Sequence, residues 1–135
     1  MSQLSADLVQ SFETPNINND IPIADNVVVY RGSAIGLLAG YGRQLVAGDV
    51  FVGFAEQKVD NTATGHAAGL KTIPVRKLGT VPLTISGVAI TDVGADVYAS
   101  DGNTYTLTVG SNSFIGKIVR YVTTNTAMVQ FNVGA

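Results

Sequence analysis

From Asn26 onward, short β-branched runs are broken by Gly, Asn, Asp or Pro roughly every 8 to 12 residues, a cadence that excludes helices of ordinary length. The runs are NVVVYRG, SAIGLLAG, QLVAGDVFVGFAEQ with a turn at Ala47-Gly48-Asp49, KTIPVRKLG, TVPLTISG, GVAITDVG, GADVYASDGNTYTLT, SFIGKIVRYVTT and TAMVQFNVG. In the last of these, Ala127, Val129, Phe131 and Val133 alternate with Met128, Gln130 and Asn132, so one face is apolar and the other polar. Eighteen Val and 13 Thr suit a pleated, half-buried surface, and 15 Gly suit turns and bulges. Some nine strands are expected, in an all-β, single-domain β-sandwich or jelly-roll-like barrel of short antiparallel strands. Pro74 and Pro82 lie inside strand-like runs and, lacking an N–H, are expected at sheet edges or strand starts.

Residues 1–25 read differently. SFETPNINNDIPIAD has two prolines among Asn and Asp residues, a composition that resists both helix and central strand. Leu4, Leu8 and Phe12 recur at helical spacing, with Ser5 as a cap for a short helix ending before Pro15. The expectation is an extended N-terminal arm over 1–25 and a β domain over 26–135. Such a terminus either frays or orders on a partner, and 24 extended residues reach roughly 80 Å.

The 135 residues are 46% hydrophobic and only 13% charged, which leaves little charge to keep the surface apart from other proteins. The net charge is −2 and the largest basic cluster is Arg76-Lys77, too thin a footprint for direct nucleic-acid binding. The absence of cysteine removes disulfides, thiolate metal sites and a Cys nucleophile. The N-terminus lacks the basic and apolar regions of a secretory signal, and no apolar run approaches the ~20 residues of a membrane span. The expectation is a soluble protein made in the cytosol, with no membrane partner.

Candidate chemistry is sparse. His66 stands in a Gly/Ala/Thr loop with only Asp60 and scattered Thr nearby in sequence, where catalysis needs a nucleophile and an orienting acid. Gly65, Gly69, Lys71 and Thr72 echo a phosphate loop, but Leu70 breaks the Gly-Lys step and no helix follows. Asp92, Asp96 and Asp101 lack the spacing and closing Glu of a calcium loop and read as turn residues. No enzymatic activity, cofactor or metal is expected. In GADVYASDGNTYTLT, a three-residue loop Ser100-Asp101-Gly102 with a bulged Gly pairs Val97 with Tyr105 and Ala95 with Leu107. That register turns Asp96, Tyr98, Thr104 and Thr106 outward.

Four blocks, GDVFVGFAEQKVDN (48–61), VRKLGTVPL (75–83), GADVYASDGNTYTLT (94–108) and FIGKIVRYVTTNTAMVQF (114–131), resemble the small cement or decoration proteins of tailed-phage capsids. The resemblance runs in order over residues 26–133 and covers the arm less clearly. It implies a compact β domain on the outer surface of the virion, bridging neighbouring major capsid subunits and stabilising the shell. It also implies a homodimer or homotrimer and no catalytic residues. The expected contact residues are Leu4, Leu8, Phe12 and Ile21 in the arm, with Arg31, Arg76 and Lys77 as polar anchors, because arginine favours interfaces and binds carboxylates bidentately. The alternative is a small β binding or carrier module. In a lipoyl- or biotinyl-like carrier, Lys58 after the Gly48-Asp49 turn would be the modified lysine. A carbohydrate binder would need an exposed aromatic platform, which a chain without Trp is not expected to offer.

Overall fold

A computed structural model of the chain describes residues 5–6 and 17–133. Residues 1–4 and 7–16, and with them the expected contacts Leu4, Leu8 and Phe12, lie outside the described residues. The described residues form twelve strands: β1 (Asn18–Pro22), β2 (Val28–Val29), β3 (Ala34–Leu38), β4 (Tyr41–Gln44), β5 (Phe51–Ala55), β6 (Val59–Asp60), β7 (Thr72–Arg76), β8 (Leu78–Thr84), β9 (Asp96–Asp101), β10 (Thr104–Thr106), β11 (Ser113–Thr123) and β12 (Thr126–Asn132). One five-stranded sheet has the order β1-β7-β5-β3-β4, a second the order β10-β9-β11-β12-β8, and β2 pairs with β6 in a short ribbon. All these ladders are antiparallel. The fold is all-β, and the chain completes the first sheet before it starts the second. It switches sheets at Lys77, whose N–H donates to the Ile17 carbonyl (2.7 Å) and whose carbonyl accepts from Val133 N–H (2.8 Å).

The main core lies between the sheets. Phe51, Phe54 and Phe131 meet edge-to-face there, with Phe54 and Phe131 centroids 4.8 Å apart. A second cluster, Ile23, Val29, Ile35, Ala55, Ile73 and Val75, occupies the opposite face of the first sheet beneath the β2–β6 ribbon. The middle of the first sheet is therefore covered on both faces, which is why FVGFA of β5 reads as an unbroken apolar run instead of an alternation. Each large aliphatic side chain so buried stabilises by about 1.5–3 kcal/mol. An extra residue at Val52 shifts the β3–β5 register and lets Phe51 and Phe54 both reach the main core. Gly53 follows in the left-handed region (φ 136°), where a Cβ would lie 2.4 Å from the Arg76 carbonyl oxygen.

Several sequence expectations need correction. Residues 18–24 belong to the domain, not to an arm: β1 pairs in register with β7 from Asn18–Arg76 to Pro22–Thr72, and Ile23 is fully buried. Ile21, expected to contact a partner, packs against the second core cluster of its own chain. The Asn/Pro-rich composition is tolerated because β1 is an edge strand. Pro82 does lie on an edge, in β8, but Pro74 lies in β7, between β1 and β5. The named β5–β7 pairs are Phe54–Arg76 and Ala55–Val75; at the end of that ladder Glu56 N–H donates to the Pro74 carbonyl (2.9 Å), so proline keeps its acceptor role there and only the return donation is missing. GVAITDVG forms a 3-10 turn over Ile90–Asp92, with the Ala89 N–H held by Asp92 Oδ2 at 2.8 Å.

The Asp-Gly hairpin has the expected faces but a different register. Asp101 pairs with Thr104 and Ala99 with Tyr105, leaving Ser100 as the extra residue and Gly102-Asn103 as the loop. The two-residue slip preserves parity, so Val97, Ala99 and Tyr105 are buried. The tip is fixed by tertiary contact: Gly102 is buried, its carbonyl accepts from Ala34 N–H (2.9 Å) and a Cβ would lie 2.5 Å from Ser33 Oγ. The Tyr105 hydroxyl donates to the same carbonyl (3.3 Å), and burial, with a smaller contribution from the Asp101 carboxylate, pushes its pKa up to about 12. In an ultraviolet titration, one of the five tyrosines should ionise at about 12, and that step should vanish in Tyr105→Phe. Because the folded state keeps a proton that the unfolded state releases near 10.0, this contribution to stability is complete below pH 10.0 and is lost as pH rises toward 12.

Candidate contact site

Arg31 and Arg76, separated by 44 intervening residues, line one cleft. Arg31 sits in the turn before β3, where Gly32 N–H is anchored on the Ala55 carbonyl (2.9 Å). Arg76 ends β7 opposite Phe54, on the face of the first sheet that looks toward the second. Glu56, immediately after β5, lines the same cleft with Thr80 and Val81 of β8, and Phe54 and Phe131 supply its apolar floor. The volume is about 350 Å³. Arg76 Nε donates to the Leu78 carbonyl (3.1 Å), which fixes the guanidinium across the sheet-switching corner. No ion pair among the described residues joins Glu56 to either arginine. Lys77, the third expected anchor, is half-buried at the corner and does not line the cleft.

A second surface is apolar. The β9–β11 ladder ends at Asp96–Lys117, so β11 beyond Ile118 has β12 as its only strand neighbour among the described residues. Val119 and Val122 are the extra residues at two bulges in this stretch, and both are exposed. The 3-10 turn packs beside it, tied by Ile118 N–H to the Ala95 carbonyl (3.0 Å), and presents Ile90, 70% exposed, and Val93. Farther along the second sheet, Phe114 is 52% exposed and meets Tyr98 edge-to-face at 5.9 Å. The Lys117–Asp96 ion pair (2.6 Å) sits in the same ladder. An exposed aromatic platform was not expected of a chain without Trp; the bulge at Ile115 sends Ile115 inward and leaves Phe114 out, beside the outward-facing Tyr98.

The structure closes other candidates down to local roles. The three hairpin carboxylates are spent separately: Asp92 on Ala89 N–H, Asp96 on Lys117, and Asp101 on Asn103 N–H and the Thr104 hydroxyl. His66 pairs with Asp25 (2.6 Å), not with Asp60, and no hydroxyl hydrogen-bonds to it among the described residues. This pair was invisible in sequence because Asn61 creates it, its buried amide donating to the carbonyls of Ala24 and Ala67 (both 2.9 Å) and so clasping the two loops. Asp60 caps its own turn through Thr62, whose hydroxyl and N–H hold the carboxyl below its usual range. Lys58 Nζ lies 5.2 Å from the centre of the Tyr30 ring, beside the bends that follow β5 and not at a hairpin tip.

No family model, curated protein or solved structure matches the chain. The geometry therefore stands alone: a cationic cleft at one end of the sandwich, and an aliphatic patch beside an incompletely paired strand. Neither arrangement brings a nucleophile to an acid–base pair. Both are surfaces on which another protein can lie, one reading charge and the other covering apolar area.

Proposed function

We propose that the protein is a capsid cement protein, a structural component that binds the outer surface of a phage head and bridges neighbouring major capsid subunits. The observation that carries this reading is the exposed aliphatic side chains on and beside the incompletely paired end of β11, Val119 and Val122 on the strand and Ile90 and Val93 in the neighbouring segment. Exposed aliphatic groups beside unpaired strand backbone are a hazard on a protein that stays monomeric, and a stable contact removes that hazard. The low proportion of charge and the resemblance of four ordered sequence blocks to cement proteins support the same conclusion. Several weak contacts made by a symmetric homo-oligomer reinforce one another through effective concentration, so no single contact has to be strong.

The test is co-sedimentation with capsids assembled without this protein. The full chain should pellet with them. A chain beginning at Ile17, which keeps β1 intact, should bind more weakly, because it lacks Leu4, Leu8 and Phe12. Val122→Asp should weaken binding without changing the circular dichroism spectrum. Failure of the full chain to pellet would sink the reading, while unimpaired binding of the shortened chain would remove only the arm's contribution.

A further inference from the structure

We infer that the Arg31–Arg76 cleft is a receptor for one acidic side chain of the partner protein, carried on an apolar segment; the identity of that partner as a shell subunit rests on the cement reading. The cleft holds two guanidinium groups and one carboxylate, a net charge of +1 that matches a single carboxylate and disfavours a dianion. Arg31 has no side-chain partner among the described residues, and Arg76 uses only Nε. The remaining guanidinium N–H groups are the donors that grip a carboxylate in parallel pairs. Beneath them lie Phe54 and Phe131, 7% and 3% exposed, whose edges offer apolar contact to the residues flanking the acid. The volume, about 350 Å³, falls near the lower end of the roughly 300–1,000 Å³ of ligand pockets, enough for a side chain and its neighbours. Docking would exclude water from groups that are now solvated, and each charge-assisted hydrogen bond would gain strength.

Glu56 sets the selectivity. It stands in the cleft without an ion pair to either arginine, so a second negative charge on the ligand would meet it unshielded. Phosphate should therefore bind worse than a carboxylate of the same reach. Glu56→Gln should narrow that difference.

The experiment uses the full-length protein in two arms. In the first, nuclear magnetic resonance follows the amides of Gly32 and Ala55 and the Arg76 Nε–H during titration with the acetylated, amidated tripeptide Leu-Glu-Leu, its Gln counterpart, and inorganic phosphate. The Glu peptide should shift these signals; the Gln peptide and phosphate should not, and the double variant Arg31→Ala/Arg76→Ala should lose the response while keeping its dispersed spectrum. In the second arm, the double variant should bind capsids roughly 10- to 100-fold more weakly than wild type. No response to the Glu peptide, or an equal response to the Gln peptide, overturns the inference whatever the capsids do. An equal response to phosphate reduces the cleft to an unspecific anion site and also overturns it. Wild-type binding that the double variant matches overturns the inference and leaves the cement reading intact. Absence of wild-type binding removes the shell subunit as partner, and the peptide arm alone then decides whether the cleft takes a carboxylate.

Discussion

Gly116→Ala should cost at least about 3 kcal/mol of stability and lower the melting temperature by roughly 10 °C, the largest effect expected of any single added methyl group. A Cβ at this position would lie 2.1 Å from the Gln130 carbonyl oxygen, 3.0 Å from its carbon and 3.2 Å from Phe131 Cα. All three are backbone atoms of β12, so no rotamer change relieves the clash. The strand itself has to move, and it is pinned by the pairs Lys117–Gln130 and Ile118–Val129 on one side and by β8 on the other. A useful comparison is Gly65→Ala, where nothing lies within 4 Å and only the positive φ (87°) is at stake. That change should cost about 1 kcal/mol. Thermal denaturation of the two variants separates close approach from conformational strain; equal losses would mean that β12 yields and the packing argument fails.

Removing Asp49 should be nearly as damaging, by about 2–4 kcal/mol for Asp49→Ala. The side chain is 9% exposed and lies across Gly36, where an added Cβ would meet its Cβ at 2.5 Å. Arg43 grips it with both arms of the fork, Nε to Oδ2 at 3.0 Å and Nη2 to Oδ1 at 2.9 Å, and Val46 N–H donates to Oδ2 at 3.0 Å. Alanine would leave a partly buried guanidinium and an N–H without their acceptor. Burial pushes the Asp49 carboxyl up, but the hydrogen bonds from Arg43 and Val46 and the Arg43 charge more than offset it, leaving the pKa below 3.8. The folded state thus releases this proton more readily than the unfolded chain. The ion pair's contribution is complete above pH 3.8 and is lost as pH falls through the lower folded-state value. Denaturant midpoints of wild type and Asp49→Asn should therefore converge as the solution is acidified. A gap that persists at low pH would show that packing, not charge, holds the loop.

Much of this architecture is legible in residues whose environment is set locally. TAMVQFNVG predicts the buried and exposed faces of β12 because one side of that strand meets a core and the other meets solvent. FVGFA does not reveal its neighbours, because an apolar run covered on both faces carries no period. The strand role of NNDIP is hidden by its composition: an edge strand needs only one ladder, and the sequence cannot say that β7 will supply it. The hairpin shows the same division, since hydrophobic parity fixed its faces while the docking of Gly102 against Ser33 and Ala34 set its register. At the cleft, residue type alone singles out Arg31 and Arg76 as candidates. It does not single out Glu56 and the Phe floor, because they join the arginines only through the β5–β7 ladder and the approach of the two sheets.

The corner at Lys77 has one further consequence. Its N–H holds Ile17 and its carbonyl holds Val133, so the first and last portions of the described domain are both fastened to a single residue. A short peptide linker joining residues 17 and 133 would close the chain into a ring with little strain. New ends could then be opened in the exposed loop 62–69, turning the inside order of the strands into a different linear gene for the same sandwich. Anything fused directly before Ile17 or after Val133 would emerge beside that corner, near the arginine cleft, whereas cargo carried on the permuted ends would emerge from the loop that Asn61 clasps.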